Sequence, residues 1–157
     1  MALFEPSEVF QFAIRIEENG ENFYRQMAQK FEDEKVKELF SFLADEETKH
    51  KKIYAGMVSK MEKYEPFESY ANEYFAYLRA YADNIIFTEE KLKEKMSEIE
   101  DVNSAIDFAM GTELDSILYY QEVKNLVPEN QRNVIDKIIE EERRHYVKLS
   151  DIKKLIK

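Results

Sequence analysis

The chain has only two histidines, His50 and His145, and each stands three residues after a glutamate, Glu47 and Glu142. A carboxylate and an imidazole one helical turn apart can hold a cation between them or pass a proton. Their surroundings favour the first. On a helix, Ile135, Ile138, Glu142, His145, Leu149, Ile152 and Ile156 step by threes and fours and form one stripe facing a core. Val36, Phe40, Leu43, Glu47, His50, Tyr54 and Met57 form another. An ionised carboxylate among hydrophobes is costly unless it is paired or binds a metal.

Two further stripes carry the same intrusion. Phe10, Ala13, Glu17, Gly20, Tyr24 and Met27 make one, and Ile106, Ala109, Glu113, Tyr120 and Val123 the other. No lysine or arginine occupies these stripes to neutralise the glutamates, which counts against a metal-free bundle held by interior ion pairs. Four converging carboxylates would repel, and would have to protonate or open the bundle. Two divalent cations would cancel their charge while the imidazoles stay neutral. Mixed carboxylate and imidazole donors at higher coordination suit iron or manganese better than tetrahedral structural zinc. Glu18, Glu46 and Glu141 are rotated about 100° from the stripes and are expected to be solvated or edge residues.

Four long helices must position the donors. Three glycines, three prolines and 36% charged residues describe helices rather than sheet. The first is expected from Pro6-Ser7, with Ser7 as N-cap, to about Lys30. The second runs from an Asp33 cap to about Tyr64, the third from caps at Asn103-Ser104, and the fourth from Glu129–Gln131 beyond Pro128. The short first connection makes helices one and two antiparallel. Glu17 precedes Lys30 by 13 residues and Glu47 follows Asp33 by 14, so both lie roughly 20 Å from the shared turn. Glu113 and Glu142 are level about Pro128 in the same way. Between helices two and three, a stretch from Glu65-Pro66 to about Val102 can run the length of the bundle. It holds a short aromatic helix over Tyr70–Tyr81 and a Thr88-capped piece from Glu89 to about Met96, so the third helix is expected to start at the same end as the second. The tyrosines of this stretch are read as packing over the bundle or against a second subunit, with a substrate-lined channel as the alternative.

The halves repeat. Phe12-Ala13-x3-Glu17-x6-Tyr24 aligns with Phe108-Ala109-x3-Glu113-x6-Tyr120, and Glu46-Glu47-x2-His50 with Glu141-Glu142-x2-His145. The offset between the two glutamates is 30 residues in the first half and 29 in the second.

Residues 1–157 are read as one domain. The absence of cysteine excludes disulfides, iron–sulfur clusters and thiol catalysis within this sequence. A net charge of −10 argues against nucleic acid and anionic membranes as partners. No apolar run approaches the roughly 20 residues of a membrane span, and Met1 to Pro6 lacks the features of a signal peptide. A cytoplasmic protein is expected.

Glu17-x6-Tyr24, Glu47-x2-His50, Glu113-x6-Tyr120 and Glu142-x2-His145 resemble the rubrerythrin branch of the ferritin-like superfamily over nearly the whole chain. The resemblance implies an all-α, ferritin-like four-helix bundle with a long crossover between helices two and three, holding two iron (or manganese) ions. Glu17 and Glu113 would be terminal ligands, Glu47 and Glu142 would bridge, and His50 and His145 would bind one metal each. Tyr24 and Tyr120 could hydrogen-bond the opposite carboxylates, or be ordinary core aromatics. Two departures stand out. Rubrerythrins carry a four-cysteine rubredoxin-like site, which this sequence lacks, so an external electron-donor protein is implied. They also place a further glutamate where Ser116 stands, which bears on a peroxidase assignment. The implied activity is reduction of peroxide or dioxygen, with room for a small oxidant beside Gly20 and Ser116, in a protein expected to be a homodimer. Ferritin-type iron oxidation and storage or delivery in a multi-subunit shell is one alternative. Hydroxylation of a small organic substrate such as a quinone is another, and a non-enzymatic metal-stabilised bundle is a third.

Overall fold

The computed structural model describes residues 6–61, 72–85, 88–127 and 129–156, and every regular element in them is an α-helix. These are α1 Pro6–Lys30, α2 Glu34–Met61, α3 Asn72–Ile85, α4 Glu89–Ser97, α5 Val102–Lys124 and α6 Glu129–Leu155. The long helices expected first to fourth are α1, α2, α5 and α6. The expectations at Tyr64, Glu65-Pro66, Tyr70 and Pro128 fall outside the described residues.

Local chemistry sets most helix ends. Asp33 accepts a hydrogen bond from the Val36 amide at 3.1 Å and caps α2, and Thr88 accepts one from Lys91 at 3.2 Å and caps α4. Two expectations are corrected. α1 already contains Ser7, because Pro6 opens it: a proline lacks the N–H that a first turn leaves unpaired anyway. α5 is capped by Asp101, not by Asn103 or Ser104. The Asp101 carboxylate accepts from the Ser104 amide at 2.8 Å, while the Ser104 hydroxyl accepts from the Asp101 amide at 3.3 Å. Several good capping residues crowd this turn, and the reciprocal pair stabilises one frame over the others.

The long helices bury their stripes in two apolar clusters. One gathers the start of α1, the end of α2, α3, the end of α5 and the start of α6 around Phe10, Leu78, Ile135 and Ile138. The other gathers the end of α1, the start of α2, α4, the start of α5 and the end of α6 around Phe40, Leu43, Ile106 and Leu149. Burying each such side chain contributes roughly 1.5–3 kcal/mol before conformational entropy is counted. The two memberships give the topology. α5 begins at the end of the bundle where α2 begins, and the α3–α4 crossover runs along the bundle to reach it. Between the apolar clusters lies a polar layer.

Candidate metal centre

That layer is made by six side chains from four helices. Glu17 comes from α1, Glu47 and His50 from α2, Glu113 from α5, and Glu142 and His145 from α6, and none is more than 4% exposed. Their donor atoms form two overlapping groups, each with all its atoms within 4.8 Å of one another. One holds Glu17, Glu47, His50 and Glu142; the other holds Glu113, Glu47, His145 and Glu142. Glu47 and Glu142 belong to both. His50 Nδ1 lies 2.9 Å from Glu142 Oε1 and 3.6 Å from Glu17 Oε2, while His145 Nδ1 lies 3.7 Å from Glu113 Oε1 and from Glu142 Oε1. The level placement follows from the matched offsets on antiparallel pairs.

Two tyrosines hold the outer carboxylates across the bundle. Tyr24 of α1 donates to Glu113 Oε1 at 2.6 Å, and Tyr120 of α5 donates to Glu17 Oε1 at 2.5 Å. Each carboxylate's second oxygen, Glu17 Oε2 and Glu113 Oε2, is buried without a hydrogen-bond partner. Glu142 Oε1 and His50 Nδ1 face each other at 2.9 Å without hydrogen-bond geometry, and His145 Nδ1 is likewise without a hydrogen-bond partner. Buried polar atoms in this number normally find partners, so five converging orphans fit a site built to hold cations.

The electrostatics agree. Burial, then the charges of Glu17 and Glu142, push the Glu47 carboxyl well above the usual carboxylate range. Burial, Glu113 and Glu17 do the same to Glu142. Burial also disfavours ionised Glu113, but its contacts with Glu142, His145 and Tyr24 outweigh this and hold it below its ordinary value. For His50, burial opposes protonation, yet the carboxylates of Glu142 and Glu17 raise it to about 12. Without cations, protons take over the neutralising role.

Residues 8–153 match the sequence profile of the rubrerythrin family. The chain belongs to the rubrerythrin family. Among solved structures it is similar to a Thermotoga maritima protein described as ferritin-like and diiron-carboxylate, at 29% identity and a TM-score of 0.68, over 96% of this chain and 95% of that one. No curated protein matches the sequence.

Three features of this rubrerythrin-family centre bear on the sequence reading. Glu46 and Glu141, expected to be solvated or edge residues, are only 14% and 24% exposed and reach the outer nitrogens of the histidines across the α2–α6 seam. Glu141 Oε2 lies 2.6 Å from His50 Nε2, and Glu46 Oε2 lies 3.8 Å from His145 Nε2. A carboxylate there fixes the ring and leaves Nδ1 free for the centre. The repeated Glu-Glu-x2-His was the available signal: the first glutamate of each motif serves the histidine of the other. Glu18, by contrast, is exposed, as expected.

Gly20 is the second feature. A Cβ built there would lie 3.0 Å from both Cδ and Oε2 of Glu47, tighter than ordinary contact, so glycine makes room for that carboxylate. The third is a cavity of about 40 Å³ lined by Gly20, Tyr24, Glu47, Thr112, Glu113 and Ser116. It opens between α1 and α5 onto the carboxylates, with Ile85 of α3 and Leu92 of α4 at its wall. Ser116, where a rubrerythrin glutamate was the reference, turns its hydroxyl to the Thr112 carbonyl at 2.9 Å.

Proposed function

We propose that this chain is a dinuclear iron oxidoreductase that reduces hydrogen peroxide, or dioxygen, with electrons from a separate donor protein. Glu17 with His50, and Glu113 with His145, would each hold one ion, and Glu47 and Glu142 would bridge. The observation that carries this is the sharing of Glu47 and Glu142 by two otherwise separate donor groups. The bound ions would supply the electrons and the electrophilic surface for the oxidant. The chain's own residues do the rest. Tyr24 and Tyr120 fix the outer carboxylates, Glu46 and Glu141 orient the imidazoles, and the apolar clusters on either side keep bulk water out.

The size and walls of the cavity support a small oxidant. About 40 Å³ holds a few water-sized molecules, with polar partners in Glu47, Glu113 and Ser116. No helix among the described residues is long and apolar enough to cross a membrane. The donor is proposed as a separate protein because the sequence has no cysteine for an iron–sulfur site of its own.

The test is rapid mixing of anaerobically reduced, iron-loaded protein with hydrogen peroxide and, separately, with dioxygen. Peroxide is expected to oxidise the centre much faster than it oxidises free ferrous ion. Oxidation at the free-ion rate would refute the reading. A particle of ferritin-like shell size on size-exclusion chromatography would favour storage instead.

A further inference from the structure

The pseudo-symmetry of the centre is broken by tyrosines. Tyr120 donates to Glu17 on one side and touches Tyr119, its neighbour in sequence, on the other, with ring centroids 6.2 Å apart. Tyr119 stacks on Tyr81 of α3 at 6.2 Å and 3° between planes, and Tyr81 lies 6.2 Å from Tyr77 one turn earlier. Exposure rises along this row. Tyr120 and Tyr119 are fully buried, Tyr81 is half-buried and Tyr77 is 52% exposed. Tyr24, the counterpart of Tyr120, leads elsewhere, its nearest rings being Phe23 and Phe40. Phenylalanine is far harder to oxidise than tyrosine, because it has no phenolic proton to release. Among the described residues, only the Tyr120 side therefore offers unbroken oxidisable rings from the centre to solvent.

We propose that Tyr120, Tyr119, Tyr81 and Tyr77 form a relay that carries an oxidising equivalent from the metal centre to the protein surface. The proposal rests on the redox reading above. Reduction of one peroxide to two waters breaks the O–O bond and takes up two electrons and two protons. A half-reduced centre, with one ferrous and one ferric ion, gives only one electron and leaves a deficit of one, which Tyr120, hydrogen-bonded to Glu17, would supply. Each inner ring gives up an electron and regains one from the next, keeping its phenolic proton within its own hydrogen bond. Those bonds run from Tyr120 to Glu17, from Tyr119 to the Val9 carbonyl at 3.1 Å, and from Tyr81 to the Asp115 carbonyl at 2.8 Å. The net loss falls on Tyr77, whose exposed phenol releases its proton to water. The resulting neutral radical is quenched by a one-electron reductant in solution, such as ascorbate. Without a reductant, two such radicals join through a carbon–carbon bond as dityrosine. Tyr54, 5.1 Å from Tyr120, is a dead end among the described residues, where it is buried and its other ring contact is Phe10.

The experiment treats half-reduced, iron-loaded full-length protein, with one ferrous and one ferric ion per centre, with excess hydrogen peroxide and no reductant. It reads iron oxidation by absorbance, the radical by freeze-quench electron paramagnetic resonance, and its destination by peptide mapping. A tyrosyl radical and dityrosine at Tyr77 are expected, both lost with ascorbate. The Tyr77 product is expected to disappear in Tyr119→Phe and in Tyr81→Phe, each checked for native helicity and metal content, and to persist in Tyr54→Phe. Equal Tyr77 product in wild type and both relay variants would overturn the proposal, since diffusing radicals would explain it. So would oxidised iron with no product at Tyr77, which leaves the redox reading standing. Iron that peroxide does not oxidise would remove that reading and the relay together.

Discussion

Replacing Gly20 by alanine should change sign with metal content, and the other two glycines supply the controls. All three lie in helices, where alanine is more favourable than glycine by about 1 kcal/mol. A Cβ at Gly56 or Gly111 meets nothing within 4 Å, so either substitution should realise that gain with or without metal. For a chain of this length about 1 kcal/mol corresponds to roughly 2–4 °C in melting temperature. At Gly20 the new methyl meets Cδ and Oε2 of Glu47 at 3.0 Å. In metal-free protein that carboxylate is the free end of a side chain and can give way, so Gly20→Ala should be neutral or slightly stabilising. A Glu47 that bridges two ions has no such freedom. Overpacking of this kind costs about 1–3 kcal/mol, which weakens metal binding by about fivefold to a hundredfold. Thermal melts with and without manganese or anaerobic ferrous iron, together with competition titrations, measure both quantities. If metal-loaded Gly20→Ala gained as much as metal-loaded Gly111→Ala, the bridging position assigned to Glu47 would be wrong.

Three further outcomes follow from the same geometry. Tyr120→Phe leaves Glu17 Oε1 buried without its 2.5 Å donor and should cost about 1.5–3 kcal/mol in urea denaturation, with Tyr24→Phe costing a similar amount through Glu113. Glu141→Gln should lower metal affinity by about 10–100-fold, and Glu46→Gln by less, because its contact with histidine is 3.8 Å rather than 2.6 Å; equal losses in a metal titration would contradict this. The pH dependence has a worked sign. Glu47 and Glu142 have raised folded pKa values, so each favours unfolding as pH climbs above 4.5. The raised value of His50 gives stability that is full below 6.5 and is lost as pH rises toward about 12. Glu113, lowered, works the other way and loses its contribution as pH falls below 4.5. Metal-free protein should therefore melt at lower temperature as pH is raised above 6.5, while metal binding, which displaces those protons, tightens over the same range. Melting and titration series across that range check both slopes, and a metal affinity independent of pH would count against proton displacement.

Much of the centre was legible because helices translate spacing into geometry. Glu17, Glu47, Glu113 and Glu142 each interrupt an apolar stripe, and matched offsets about short connections put them level. The spacing that places Tyr24 and Tyr120 on the faces of Glu17 and Glu113 also brought their hydroxyls within reach of the opposite carboxylates. The start of α5 was less legible, because Asp101, Asn103 and Ser104 are all good caps and only the reciprocal hydrogen bonds select one.

By itself, then, the sequence determined which faces of four helices turn inward and which polar groups are forced into the interior, since both depend on periods of three and four residues along one chain. The tertiary structure alone decided what those groups meet. The pairing of Glu141 with His50, the need for Gly20 beside Glu47, and the row from Tyr120 to Tyr77 each join different helices. Such contacts depend on how the helices rotate and approach one another, which local periodicity leaves open.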